Sequence, residues 1–252
     1  MIPRLLLLAA FCASSALAGE IPLAERRSGY ETMSRETRAI QDDDATNPGM
    51  FSVLDGETLW KRKAGSADRA CADCHQSMEG VAARYPAFDG ARGRPLSLEQ
   101  RINACRVEKQ KAQVLAYESK ELLALTAYVA RQSRGLPIAP KIDDRTRPFL
   151  EAGREAFQRR QGQLNLSCAL CHDDRWGKHL AGSLIPQGHP TGYPVYRLEW
   201  QSLGSLDRRL RNCLFGMRAE VPAFASDELV DLELYLMWRA RGMKIEAPAV
   251  RP

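Results

Sequence analysis

Apolar residues in this 252-residue chain fall at helical spacing and show no sustained alternation at every second position. Leu98, Ile102 and Cys105 stand at i, i+4 and i+7, as do Leu206, Leu210 and Cys213, so each cysteine lies on the apolar stripe of a short amphipathic helix. Ser97 and Ser205 precede these stripes as N-caps, because a serine oxygen satisfies the free amides of a first turn. Longer helical patterns run over 120–134 and 227–241, each closed by a glycine at C′, Gly135 and Gly242. Two further helices are predicted over 52–63 and 149–161. The expected class is all-α, with no substantial sheet. Pro137, Pro140 and Pro148 mark a linker, and the polar stretch 19–50, with Asp42-Asp43-Asp44, reads as an arm that orders only against a partner.

The helical pattern occurs twice. Gly56 and Trp60 stand 15 and 11 residues before Cys71, and Gly153 and Phe157 stand 15 and 11 before Cys168. Downstream, Ser97-Leu98-Glu99-Gln100-Arg101-Ile102-Asn103-Ala104-Cys105 aligns without a gap on Ser205-Leu206-Asp207-Arg208-Arg209-Leu210-Arg211-Asn212-Cys213. Tyr128 and Gly135 are seven apart, as are Tyr235 and Gly242. Two copies of one domain are therefore predicted, 51–140 and 141–252, behind the arm at 19–50.

Each copy carries Cys-x-x-Cys-His, at Cys71-Ala72-Asp73-Cys74-His75 and Cys168-Ala169-Leu170-Cys171-His172. A lone Cys-x-x-Cys suits a redox dithiol or half a zinc site, but histidine directly after it, twice, reads as c-type haem attachment. Cys71, Cys74, Cys168 and Cys171 would bond the porphyrins of two covalently bound haem c groups, with His75 and His172 as axial ligands. The N-terminus agrees with export: Arg4, an apolar run from Leu5 to Phe11 and Ala16-Leu17-Ala18 make residues 1–18 a signal peptide, the alternative being an uncleaved anchor. No later stretch is apolar for long enough to span a membrane. The formal charge of +5 loses one unit with Arg4, and no basic stretch interleaved with aromatics points to nucleic acid. A modestly basic surface suits an anionic substrate or acidic partner, and equally an ordinary solvated face.

Cys12 leaves with the signal, so Cys105 and Cys213 remain outside the motifs. They are equivalent in the two copies and distant from His75 and His172, which makes them candidates for the second axial position; a disulfide between them, or buried free thiols, are the alternatives. Met78 is too near His75 to cross to the opposite face of the haem. Met217 competes for the second iron, Met237 and Met243 read as core, and His179 and His189 have no counterpart in the first copy. An anionic sulfur donor favours ferric iron and makes a poor electron shuttle, which suggests that the sulfur itself reacts. Arg101 and Arg209 lie one turn before their cysteines, Arg106 follows Cys105, and Arg211 and Arg218 flank Cys213. A guanidinium fork suits an oxyanion, although charges on a helix are often only a solvated face.

The run Cys71 to His75, continued by Gly80-Val81-Ala82-Ala83-Arg84-Tyr85-Pro86-Ala87-Phe88, resembles the first haem domain of the SoxA family, the dihaem subunit of periplasmic SoxAX cytochromes. The run Pro186-Gln187-Gly188-His189-Pro190-Thr191-Gly192-Tyr193-Pro194-Val195-Tyr196-Arg197, with Arg218-Ala219-Glu220, is similar to the second. The resemblance implies an L-cysteine S-thiosulfotransferase of the periplasm that joins thiosulfate to a cysteine on the SoxYZ carrier and passes electrons to a SoxX cytochrome, its heterodimeric partner. It implies Cys213 as catalytic sulfur and ligand of the active haem, Arg209 as substrate-binding and Cys105 as ligand of the other haem. Arg218 joins Arg209 as a candidate for holding the sulfonate. Two rivals are a dihaem thiosulfate dehydrogenase that forms tetrathionate, for which a Met or Lys ligand on the other haem would be expected, and a plain electron carrier, which needs no cysteine at iron.

Overall fold

The computed structural model describes residues 21–180 and 182–252. The expected signal peptide, 1–18, lies outside them. In chain order the first half contributes α1 (Arg35–Asp42), α2 (Gly49–Lys61), β1 (Ala87–Asp89), β2 (Arg94–Leu96), α3 (Leu98–Cys105) and α4 (Lys120–Arg131). The second half contributes α5 (Arg147–Gln158), α6 (Cys168–His172), β3 (His179–Leu180), β4 (Ser183–Leu184), β5 (Val195–Arg197), β6 (Ser202–Gly204), α7 (Leu206–Gly216), α8 (Asp227–Arg239) and β7 (Ala249–Arg251).

The repeat is built on two close helix crossings, α2 on α4 and α5 on α8. A Cβ on Gly56 would stand 2.1 Å from the Ala124 carbonyl oxygen, and one on Gly153 2.0 Å from that of Asp231. Glycine is thus the residue that lets the backbones touch. One turn further on, Trp60 packs on Tyr128 and Phe157 on Tyr235, with ring centroids 5.6 and 5.4 Å apart. Around these contacts Ile102, Leu122, Leu125 and Val129 form the first core, and Phe157, Leu210, Leu214 and Leu229 the second. Met237, expected as core, is buried in the first cluster together with Ala240, Ile245 and Ala247, and Met243 packs against it. The second half therefore completes the core of the first.

The predicted caps form. Ser97 accepts from the Gln100 amide at 3.2 Å while the Gln100 side chain accepts from the Ser97 amide at 2.9 Å. Ser205 accepts from the Arg208 amide at 3.1 Å. Gly135 and Gly242 do take positive φ, +83° and +82°, but they follow helices that end at Arg131 and Arg239 rather than serving as C′. Their amides instead join the copies: Gly135 donates to the Ile245 carbonyl and Gly242 to that of Ile138, each at 2.8 Å.

The all-α expectation is corrected by three small sheets. β1 pairs antiparallel with β2, β3 with β4, and β5 lies between antiparallel β6 and parallel β7. No strand exceeds three residues and β2 contains Pro95, so no periodicity could announce them. The arm is a second correction. It packs on the segment 246–250 of the same chain, where Asn47 Nδ2 donates to the Pro248 carbonyl at 3.0 Å, Ser28 Oγ to Glu246 at 2.6 Å, and the Val250 backbone amide to Gln41 Oε1 at 3.1 Å. Among the described residues no helix is long and apolar enough to cross a membrane.

Where the copies meet, Glu99 and its counterpart Asp207 line a small cavity with Glu118 and Glu233. Burial, with the charges of Asp207 and Glu118, pushes the Glu99 carboxyl up to about 7. Burial first, and then Glu99 and Asp207, hold Glu233 well above the carboxylate range as well.

Candidate active site

Ser167 starts the second motif by accepting from the Leu170 amide at 3.2 Å, which folds Cys168–His172 into the short helix α6. His172 Nδ1 lies 2.7 Å from the Pro186 carbonyl oxygen. A carbonyl only accepts, so Nδ1 carries the proton and Nε2 keeps its lone pair for a metal. Gly188, at φ +75°, brings its backbone against the imidazole, and a Cβ there would stand 3.1 Å from Cγ of His172. Burial lowers the His172 pKa, outweighing the opposing Pro186 bond, and keeps the ring neutral as a ligand must be.

Cys213, on α7, is the third sulfur of this site. Burial, and then the nearby Cys213, push Cys168 up to about 12, and the same two causes in the same order raise Cys171. The first copy repeats the arrangement: burial raises both Cys71 and Cys105, with Cys105 acting on Cys71 and Cys74 on Cys105. All six described cysteines are free, and each extra cysteine sits beside its own motif, which removes the Cys105–Cys213 disulfide. Two thiols, an imidazole with a free Nε2 and a further sulfur are the donor set of a cysteine-ligated haem c, and the residues present fit that group. His75 is exposed and its ring lies 5.9 Å from that of Trp60.

The methionines and the other two histidines are held by contacts of their own. Met217 is buried in the second core, and the corresponding place in the first copy holds Gln110, which bonds the Arg69 carbonyl at 2.9 Å. The match is set by the backbone: the Met217 and Gln110 carbonyls accept from Leu164 and Ala67 at 3.4 and 3.1 Å. Met78 packs on the first core, its amide donating to Gln132 at 3.0 Å. His189 Nδ1 lies 3.0 Å from the Arg27 carbonyl and tethers the arm. Burial brings its pKa down to about 4. His179 is exposed on β3.

The arginines differ between the copies. Arg101 forms an ion pair with Asp89, which also stands 3.5 Å from Arg92. The Arg209 side chain makes no hydrogen bond or ion pair with any described residue. Although burial opposes its charge, Cys213, Tyr193 and Glu199 together raise its pKa. Arg209 in turn acts on His172, Tyr193 and Arg197. Arg211 stacks on Phe224, 4.1 Å from the ring centroid, and Arg106 donates to the Gln113 carbonyl at 3.1 Å. Arg218 is exposed at φ +55°, its carbonyl accepting from Gln163 at 3.2 Å, and Lys111 takes the same backbone place in the first copy at φ +56°. Arg197 lies at the end of β5, in the run that resembles the second haem domain, and has no role assigned by motif or spacing. The signal was available, because the gap-free alignment from Ser97 and Ser205 runs back to Tyr85-Pro86 and Tyr193-Pro194 and sets Arg197 against Asp89.

Residues 55–138 and 152–245 match the SoxA/TsdA cytochrome c domain family. The chain is 39% identical over 235 residues to the L-cysteine S-thiosulfotransferase subunit SoxA of Pseudaminobacter salicylatoxidans, covering 91% of this chain and 82% of that one. It is 37% identical to the SoxA subunit of Rhodovulum sulfidophilum, covering 90% and 80%. A crystal structure of SoxXA from P. pantotrophus superposes with a TM-score of 0.86 at 33% identity, covering 90% of this chain and 87% of the other. With both haem motifs, the repeat and the extra cysteine of each copy in place, the chain belongs to the SoxA branch of the SoxA/TsdA cytochrome c family.

Proposed function

We propose that this chain is the SoxA-type subunit of an L-cysteine S-thiosulfotransferase. It joins thiosulfate oxidatively to a cysteine of a SoxYZ-type carrier in the periplasm and passes the electrons to a SoxX-type cytochrome partner. The observation that carries this reading is Cys213, a sulfur on α7 beside the second haem motif with the unpaired Arg209 one turn before it. The relatives named as thiosulfotransferase subunits and the likeness to SoxXA support it.

The chemistry follows from the residues. The terminal sulfur of thiosulfate and the Cys213 thiolate are both nucleophiles, so an S–S bond between them forms only when two electrons leave. Cys168 and Cys171 would hold a haem c, with His172 and Cys213 as its ligands, and that group would supply the exit for those electrons. Arg209 holds the sulfonate end by charge-assisted hydrogen bonds and keeps the terminal sulfur turned toward Cys213. The thiolate of the carrier then attacks the Cys213 disulfide, takes the thiosulfate unit as a new S–S bond and returns Cys213 as thiolate. In the first copy Cys71, Cys74, His75 and Cys105 would hold a second haem c. Its arginine is already neutralised by Asp89, so this site serves electron transfer rather than substrate.

The test uses the haem-loaded chain with its cytochrome partner. Thiosulfate and oxidant should yield carrier modified at its cysteine, read by intact mass, and little tetrathionate when the carrier is left out. Tetrathionate formed at full rate without carrier would assign the protein to thiosulfate dehydrogenases instead.

A further inference from the structure

Position 89 in the first copy and position 197 in the second are the same place in the repeat, the last residue of β1 and of β5, three residues after a Tyr-Pro pair. The side chain at this place reaches the arginine one turn before the extra cysteine, as the Asp89–Arg101 ion pair shows directly. In the first copy the place holds a carboxylate and the two charges cancel. In the second it holds Arg197, so two guanidiniums share the position.

Neither is fully satisfied. Arg197 donates to Glu199 at 3.0 Å and lies over Trp200, 5.2 Å from the centroid, but its Nε is buried without a partner, and Arg209 is unpaired. The Glu199 side chain is 61% exposed, too wet to neutralise two cations. Burial lowers the Arg197 pKa and the neighbouring Arg209 lowers it further, as two cations facing one another should. Holding like charges together partly out of water is unfavourable unless an anion completes the set.

We propose that Arg197 and Arg209 form a two-arginine clamp for a dianionic sulfur oxyanion at Cys213, and that Asp89 in the matching place closes the first copy to such substrates. This rests on the reading of Cys213 as the reacting sulfur. Two forks carrying two positive charges match the two charges and the three sulfonate oxygens of thiosulfate, and discriminate against neutral or singly charged thiols. One residue position in the repeat then decides which copy meets substrate.

The experiment measures thiosulfate KM and kcat by carrier-dependent cytochrome c reduction, and thiosulfate binding without carrier by calorimetry, on haem-loaded complexes. Arg197→Gln should raise KM and Kd about 10- to 100-fold, the usual loss for a charge-assisted contact, with kcat changed by less than about threefold. Arg197→Lys should recover most of the affinity. Arg197→Asp should be worse than Arg197→Gln by about tenfold or more, because it rebuilds the first copy's ion pair and takes Arg209 from the substrate as well. Glu199→Gln, at an exposed site, should lower KM and Kd about two- to fivefold, and it decides the matter if the Arg197 variants do not load haem. Unchanged KM and Kd in Glu199→Gln, or equal effects of Asp and Gln at 197, would overturn the clamp. A wild-type complex that binds thiosulfate through this pair without turnover would instead overturn the assigned reaction and leave the clamp standing.

Discussion

Replacing Gly153 by alanine should damage the second domain although alanine is the better helix former. The propensity gain is at most about 1 kcal/mol. Against it, the new Cβ would stand 2.0 Å from the Asp231 carbonyl oxygen, 2.6 Å from its carbon and 2.9 Å from Cβ of Tyr235. Two of these atoms are backbone, so no rotamer change relieves the clash. α5 and α8 must part by about 1 Å or more, which loosens the Phe157–Tyr235 contact and forfeits close packing along the crossing. Overpacking of this kind costs about 1–3 kcal/mol or more, and its rigid backbone partners put this site at the upper end, for a net loss of about 2 kcal/mol. In a domain of about 100 residues that is a fall of about 8–16 °C in Tm. Thermal unfolding of haem-loaded protein, followed by far-ultraviolet circular dichroism and by the Soret band, measures it. Gly216→Ala is the matched control, because a Cβ there meets no heavy atom within 4 Å, and it should leave Tm unchanged or raise it. Gly153→Ala unfolding within about 2 °C of wild type would refute the close-crossing argument.

Three other outcomes are expected. Cys213→Ala should abolish thiosulfate coupling to the carrier and Arg209→Ala should cost about 2–4 kcal/mol in transition-state stabilisation, whereas Cys105→Met should leave much of the activity; steady-state cytochrome c reduction decides, and the reverse pattern would move the active site to the first copy. Electron paramagnetic resonance of the ferric protein should show low-spin signals of the His/thiolate type, and His/Met signals for both haems would exclude Cys105 and Cys213 as ligands. Glu99, raised to about 7, favours the folded state when protonated, so its contribution is full below the unfolded carboxyl pKa near 4.5 and is lost as pH rises toward 7. His189, lowered to about 4, acts with the opposite sign, losing stability as pH falls from about 6.5. Tm measured from pH 4 to 8 should therefore decline less steeply toward neutrality in Glu99→Gln, and an unchanged profile would show that the seam carboxyl does not titrate there.

Much of this architecture was legible in the sequence because it rests on covalent spacing and helical period. The two Cys-x-x-Cys-His motifs, the aligned Cys105 and Cys213, and Gly56 and Gly153 ahead of their aromatics all describe local geometry repeated in one chain. The helices over 120–131 and 227–239 were located to within a few residues, overrun at their C-termini because Gly135 and Gly242 were read as caps. Their actual bonds, to Ile245 and Ile138, join residues over a hundred positions apart, and no window along the chain contains both partners. The same limit hid the three-residue strands, whose register comes from the fold around them. It also hid the docking of the arm, which is held by side-chain bonds such as Asn47 to Pro248 rather than by an apolar stripe. The unlike charges at Asp89 and Arg197 were visible in the alignment, but their meaning depends on knowing that the place faces Arg101 and Arg209.

The joining of the arm to the C-terminus has a consequence for the order in which the molecule can be finished. Asn47 and Pro248 are 201 residues apart, and between them lie both Cys-x-x-Cys-His motifs and most of both copies of the repeat. The segment that also bonds the arm, Gln187 to the Arg27 amide at 2.6 Å and His189 to its carbonyl, adjoins Pro186 and Gly188, which set His172. The arm, made before either copy of the repeat, thus finds its seats only after strand β7 exists, and in doing so it fastens the loop behind the second site. Synthesis runs from one end to the other, but completion comes only when the chain has closed on itself as a ring.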